Sequence, residues 1–417
     1  MFTDLAYGDD SLYASVPAGM YNIHLRAHPS TEADPVVYQT GMIEVAANQT
    51  ITAIAAGFLA SDDPEEQFRI LPFVEDFGTP QSTLVRIVHA SPNAPAVDLD
   101  LDGENFFSGL ARFEDTGAEG VNVPSGEALQ IGVSVADGDR LTVFTTPELP
   151  DGEEMFVIAT GTNPVFSKAR EEGAFSLLAV FADGTTAFIK QNPVIYAVHG
   201  SPDAPAVDIY AGESLLVENL PFGQLSGPIQ VPPADFYALD FYATGSGPGS
   251  PVATVLTGQV VAGSDYIAVA GGELVPEADE SEFALIFFEE LFDETPPART
   301  RVIHASGDTP PVDFSTVDGG TGQLDLPVVF QNLAFGSASD PSGLVNDGEA
   351  VTTGFALTGT TDPLATFDLT AAEAPVQTFI VVAGALFPDG EEKELRLIIV
   401  IIDPNVWAYG TEVLPNP

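Results

Sequence analysis

The sequence predicts an all-β fold of tandem immunoglobulin-like antiparallel β-sandwich repeats forming a rod. Three observations predict it: a long motif that recurs at domain-sized intervals, short apolar runs separated by Gly, Pro and Asp turns, and no segment with convincing helical periodicity. The motif Val85-Arg-Ile-Val-His89-Ala-Ser91-Pro-Asn-Ala-Pro95-Ala-Val-Asp98 returns as Ile195-Tyr-Ala-Val-His199-Gly-Ser201-Pro-Asp-Ala-Pro205-Ala-Val-Asp208. It returns again as Arg301-Val-Ile-His304-Ala-Ser306-Gly-Asp-Thr-Pro310-Pro-Val-Asp313. The positions of His89, His199 and His304 set intervals of 110 and 105 residues, each enough for one sandwich.

Within the unit that opens at residue 83, strand signals fall at 84–90, 96–101, 120–123, 128–135, 140–145, 155–160 and 174–181, about seven in all. Turn chemistry separates them, as at Asp102-Gly103, Pro124-Ser-Gly126, Asp137-Gly138 and Pro150-Asp-Gly152. A second landmark follows each motif: Asn219-Leu-Pro-Phe222-Gly223, Asn332-Leu-Ala-Phe335-Gly336 and a looser Gly109-Leu-Ala-Arg-Phe113. It occurs once more at Asp4-Leu5-Ala-Tyr7-Gly8 with no His segment before it, so the first repeat reads as truncated and short of two strands.

The division that follows is 1–79 for the truncated repeat, 83–186, 194–292 and 299–403 for complete repeats, and 404–417 for a C-terminal tail. The joints at 78–82, 187–193 and 293–298 are short and Pro-bearing, which makes them stiff.

Charge and composition exclude several classes. Sixty-one acidic residues against 12 Lys plus Arg give a formal net charge of -49, which repels nucleic acid and requires screening cations. There is no cysteine, hence no disulfide, thiolate metal site or cysteine nucleophile. The strongest apolar run, 395–402, has the length of a strand and contains Arg396, so no membrane span is expected. The opening Met1-Phe2-Thr3-Asp4 shows neither a basic nor an apolar leader region, and localisation outside the cell is inferred, not read.

At the His-Ala-Ser-Pro-x-Ala-Pro-Ala-Val-Asp segment the sequence resembles the bacterial and archaeal DUF4397 family, a domain of unknown function found in exported and surface proteins. The resemblance covers essentially the whole chain. It implies an extracytoplasmic β-sandwich module used in tandem and carries over no catalytic residues. The fourth repeat departs from the pattern, with Gly307 where the others have Pro92 and Pro202, and with a longer, Gly-rich segment at 315–326.

The candidate residues each admit two readings. His89, His199 and His304 stand at one point of the repeat, with Asp98, Asp208 and Asp313 nine residues on and Ser91, Ser201 and Ser306 between them. A His/Asp pair can bind metal or move protons. A His that ends an apolar strand beside a Ser-Pro turn can instead brace the corner, and a corner must recur in every unit while a catalytic centre need not.

Asp98, Asp100 and Asp102, followed by Gly103, resemble the opening of a calcium loop, but Gly109 stands where its bidentate Glu belongs. Strand alternation accounts for the same spacing. Calcium held weakly by such carboxylates is the one cofactor considered. Serine nucleophile elbows, phosphate loops and His-Glu-x-x-His arrangements are missing.

The expected function is therefore a non-catalytic extracellular or cell-surface structural or adhesive protein, with itself or surface components as partner. The alternative is a secreted module that binds a glycan or another surface polymer. Trp407, Tyr409 and Val413 fall on one face of an extended tail, a candidate strand for donation to the open first repeat of the next molecule, building a filament. A plain linker stub is the competing reading.

Overall fold

The structure, a computed structural model, describes residues 2–162, 173–247, 249–278, 280–290, 299–342, 350–370, 377–386, 394–403 and 408–415. Trp407 and the joint at 293–298 lie outside those residues. By internal contact the chain forms two units, Met1–Asn192 and Pro193–Pro417. The described residues form strands and turns, with no helix.

The first repeat has β1 (Gly19–Leu25), β2 (Tyr38–Val45), β3 (Ile51–Ala56) and β4 (Arg69–Val74). The second has β5 (Thr83–His89), β6 (Val97–Leu101), β7 (Glu104–Leu110), β8 (Val121–Val123), β9 (Gln130–Val135), β10 (Arg140–Thr145), β11 (Glu154–Thr160), β12 (Ser176–Phe181) and β13 (Thr186–Ile189). The third has β14 (Val194–His199), β15 (Val207–Ala211), β16 (Ser214–Leu220), β17 (Ile229–Gln230), β18 (Ala238–Ala243), β19 (Ala253–Leu256), β20 (Asp265–Gly271) and β21 (Ala284–Glu289). The fourth has β22 (Thr300–His304), β23 (Val312–Thr316), β24 (Phe330–Leu333), β25 (Ala350–Leu357), β26 (Pro363–Thr370), β27 (Gln377–Ala383), β28 (Arg396–Asp403) and β29 (Ala408–Pro415).

Each complete repeat layers two sheets. In the second these are β10-β9-β6-β7 and β13-β12-β11-β5-β8, and inward residues such as Ile87, Val97, Val133, Phe144, Val157 and Leu177 fill the space between them. The third and fourth repeat the scheme as β16-β15-β18-β19 on β17-β14-β20-β21, and β24-β23-β25-β26 on β22-β27-β28-β29. The all-β expectation holds, but the ladders are not purely antiparallel. The His strands β5, β14 and β22 run parallel to β11, β20 and β27. Between those two strands the chain crosses to the opposite sheet and back, and such a crossover can return a strand in its original direction.

Two strands escaped the sequence reading. β7 is irregular because it carries a bulge, and β13 lies mostly in the stretch 187–193 expected to be a stiff joint between repeats. Gln191 and Asn192 beyond it are buried as well. The first repeat holds equivalents of β9–β12 only, so five of the nine strands of the second repeat, not two, have no counterpart among its described residues. The tail also differs from expectation. β29 pairs with β28 of the same chain from Asp403↔Ala408 to Arg396↔Pro415, the place β13 takes beside β12, so this strand is already partnered.

Within each unit the two repeats pack sheet against sheet. Ile54, Ala56, Leu71 and Phe73 on the outer face of β3–β4 bury Val88, Phe156, Ile158 and Leu178 on the outer face of the second repeat. In the other unit, a methyl group placed on Gly271 would meet Ala305 at 2.9 Å, and one on Gly200 would meet Ala383 at 3.5 Å. Gly271 and Ala383 end equivalent strands, and Gly200 and Ala305 both follow the repeat histidine. The contacts are thus reciprocal, the signature of a two-fold relation between the paired repeats. Because both faces of the His-strand sheets are covered, β5, β14 and β22 are buried at every position.

Candidate functional site

The repeat motif builds a corner at one end of each sandwich. The three histidines are essentially unexposed, and each ring Nε2 faces a carbonyl six residues on: Pro95 at 2.8 Å, Pro205 at 3.0 Å and Pro310 at 3.4 Å. A carbonyl accepts only, so Nε2 carries the proton and donates. Each Nδ1 is then a bare lone pair, buried with no hydrogen-bond partner. Burial holds all three imidazoles below the ordinary histidine value, with the proline carbonyls opposing that shift. Phe222 and Phe335 of the second landmark meet His199 and His304 edge to face.

The aspartates do a different job. In each repeat one residue of the Asp strand opposes two of its neighbour, a β-bulge whose second residue is left-handed: Gly109 (φ 70°), Asn219 (φ 52°) and Asn332 (φ 53°). Asp4 (φ 62°) takes the same conformation in the first repeat. Only Gly, Asn and Asp adopt it cheaply, which explains the residue types at this landmark.

The bulged N–H donates to the repeat aspartate: Gly109 to Asp98 at 2.7 Å, Asn219 to Asp208 at 2.8 Å and Asn332 to Asp313 at 2.7 Å. The other carboxylate oxygen accepts from a turn N–H, of Asp137 at 2.9 Å, Gly245 at 3.3 Å and Gly359 at 2.9 Å. One side chain so staples the bulge to the turn beyond the neighbouring strand. The N–H groups of Asp137 and then Gly109 hold the Asp98 carboxyl below the usual range, and that of Asn219 does so at Asp208.

His and Asp therefore brace separate backbone features and do not form a pair. Asp98, Asp100 and Asp102 do not converge on a metal position either. Asp100 pairs with Arg140 at 2.7 Å and accepts from Gly103, while Asp102 accepts from the Gln130 N–H at 2.9 Å. Among the described residues no group of His, Asp and Glu is placed to hold a metal ion. The serines diverge: Ser91 donates to the Gly161 carbonyl at 2.7 Å, whereas Ser201 and Ser306 donate to Asp203 and Asp308. Those two carboxylates accept from Leu274 and Leu386 and so fix the loop after the central strand.

Sequence reasoning missed the arginines. Arg86 and Arg301 stand three residues before the histidine and reach into the preceding repeat of their unit, donating to the carbonyls of Val74 at 2.7 Å and Glu289 at 3.0 Å. Arg86 lies between Phe73 and Phe156 and pairs with Asp115; Arg301 lies between Phe288 and Phe379. The signal was available, since two of only 12 basic residues share one apolar strand position. Gly307 also finds its reason here: a side chain there would meet the Ser281 carbonyl at 3.0 Å and Gly272 at 3.2 Å, both in the third repeat.

The model of one domain family, Domain of unknown function (DUF4397), matches residues 1–100 and 193–315, more than half of the chain. No curated protein matches it. Among the described residues no helix is long and apolar enough to cross a membrane. With its motif built three times into the same corner and its sandwiches packed in pairs, the chain belongs to the DUF4397 family.

Proposed function

We propose that this protein is a non-catalytic structural or adhesive repeat protein of the cell surface or the extracellular space, with copies of itself or other surface components as partners. One observation carries the reading. The polar groups that recur in every complete repeat are turned inward to hold backbone: His Nε2 on a proline carbonyl, and Asp on the bulge and turn N–H groups. A motif kept for a corner, on repeats fastened by buried Arg-Phe contacts, suits a load-bearing module. The surface of an acidic chain of net charge -49 suits a setting rich in salt or calcium.

The test is immunogold labelling of intact producing cells, together with an attachment assay on cells lacking the protein. Surface label and weakened attachment are expected. Label confined to the cell interior overturns the reading.

A further inference from the structure

The hydroxyls of Tyr7, Tyr13, Tyr21, Tyr38, Tyr237 and Tyr266 are hydrogen-bonded within the chain. Those of Tyr210 and Tyr242 meet no partner among the described residues. Both belong to the third repeat, on β15 and β18. Their neighbours Ile209 and Phe241 point into the core, so alternation turns both tyrosines to the outer face of the sheet β16-β15-β18-β19. There the rings meet edge to face at 5.4 Å, with Tyr210 half-buried and Tyr242 8% exposed. Asp240 stands opposite Tyr210, and one of its oxygens accepts from the Thr254 hydroxyl at 2.6 Å. Exposed leucines flank the group: Leu215 pairs with Tyr210 from β16, and Leu256 on β19 lies one row beyond.

The other complete repeats cover this same place. Gly132 and Gly354 hold the position of Asp240, opposite Asp100 and Ser315, which hold that of Tyr210. A side chain at Gly132 would strike the Arg140 guanidinium, which lies there paired with Asp100. One at Gly354 would meet Val317 at 3.1 Å and Leu324 at 3.4 Å, facing residues of the longer Gly-rich segment of the fourth repeat. Among its described residues the third repeat lays neither device over its sheet, and two tyrosines, a carboxylate and exposed leucines stand in the place of a cover.

We propose that this face of the third repeat binds a neutral polysaccharide. Sugar rings present C–H faces that pack on tyrosine and leucine, and hydroxyls that donate to Asp240 and bond with the two phenol hydroxyls. Apolar area and a few polar groups are thus matched together. Charge selects among partners. A chain of net charge -49 repels an anionic polymer, while a cationic one is drawn to carboxylates all over the surface and has no reason to prefer this face. An uncharged polymer is neither repelled nor drawn elsewhere. The proposal rests on the reading of surface components as partners and names their chemical class.

The test is affinity electrophoresis of the full chain in native gels that each hold one soluble polymer: mannan, dextran, galactomannan, hydroxyethyl cellulose or the anionic polygalacturonate. Retardation in at least one neutral gel and none in polygalacturonate is expected. Tyr210→Ala should weaken that interaction about tenfold or more, and Tyr210→Phe by less. Leu215→Glu changes a side chain that is 46% exposed, so it should keep the melting temperature and still weaken retardation. Free migration in every neutral gel, equal retardation of the parent chain, Tyr210→Ala and Leu215→Glu, or retardation in polygalacturonate alone each overturns the proposal. Surface label on cells without retardation in these gels would overturn this proposal and not the surface role, so the two failures are told apart.

Discussion

At the scale of single residues, the buried histidines make stability depend on pH in a defined direction. Their folded-state pKa values lie below that of an exposed imidazole, so the unfolded chain binds protons first as pH falls. Stability should be level above about pH 6.5 and decline below it. A urea midpoint unchanged between pH 7.5 and 5.5 would contradict this. Removing the ring in His199→Ala breaks the bond to Pro205 and leaves a hole, an expected loss of about 2 kcal/mol in urea unfolding. Asp313→Ala orphans the N–H groups of Asn332 and Gly359 and should cost about 2 kcal/mol or more, with Asp313→Asn recovering part of it. Equal losses in the two Asp313 variants would remove the staple from the account.

At the scale of elements, the pairing of repeats rests on close backbone approach and on the inserted arginines. Gly271→Val would push a side chain into Ala305, so the unit that holds both should melt several degrees lower; an unchanged calorimetric trace would show that the repeats do not need this contact. In the other unit Ala56 holds the equivalent place, packed in one cluster with Ala90, the residue after His89. Arg301→Met keeps the bulk between Phe288 and Phe379 but deserts the carbonyls of Ser339 and Glu289, with an expected cost of about 2 kcal/mol. Deleting residues 404–417 removes β29, so the amides of β28 should lose protection in hydrogen exchange.

For the whole molecule, charge is the dominant long-range term. With 61 acidic residues against 12 basic ones, repulsion opposes the folded chain at low ionic strength. Sodium chloride should raise the melting temperature, and calcium should raise it at lower concentration. A melting temperature flat from low to molar salt would refute the screening argument.

The sequence by itself determined the repeat, its length and the all-β class. These are local properties: a strand followed by a Ser-Pro turn, and a left-handed position restricted to Gly, Asn or Asp, are written in adjacent residues. The tertiary structure alone decided the parallel pairing of the His strand, the return of β29 to its own sheet, the need for Gly307 and the role of Arg86 and Arg301. Each depends on a partner distant in sequence. A continuous apolar run such as 395–402 says that both faces of a strand are covered, but not by what, because burial is set by the surface brought against it and not by the run itself.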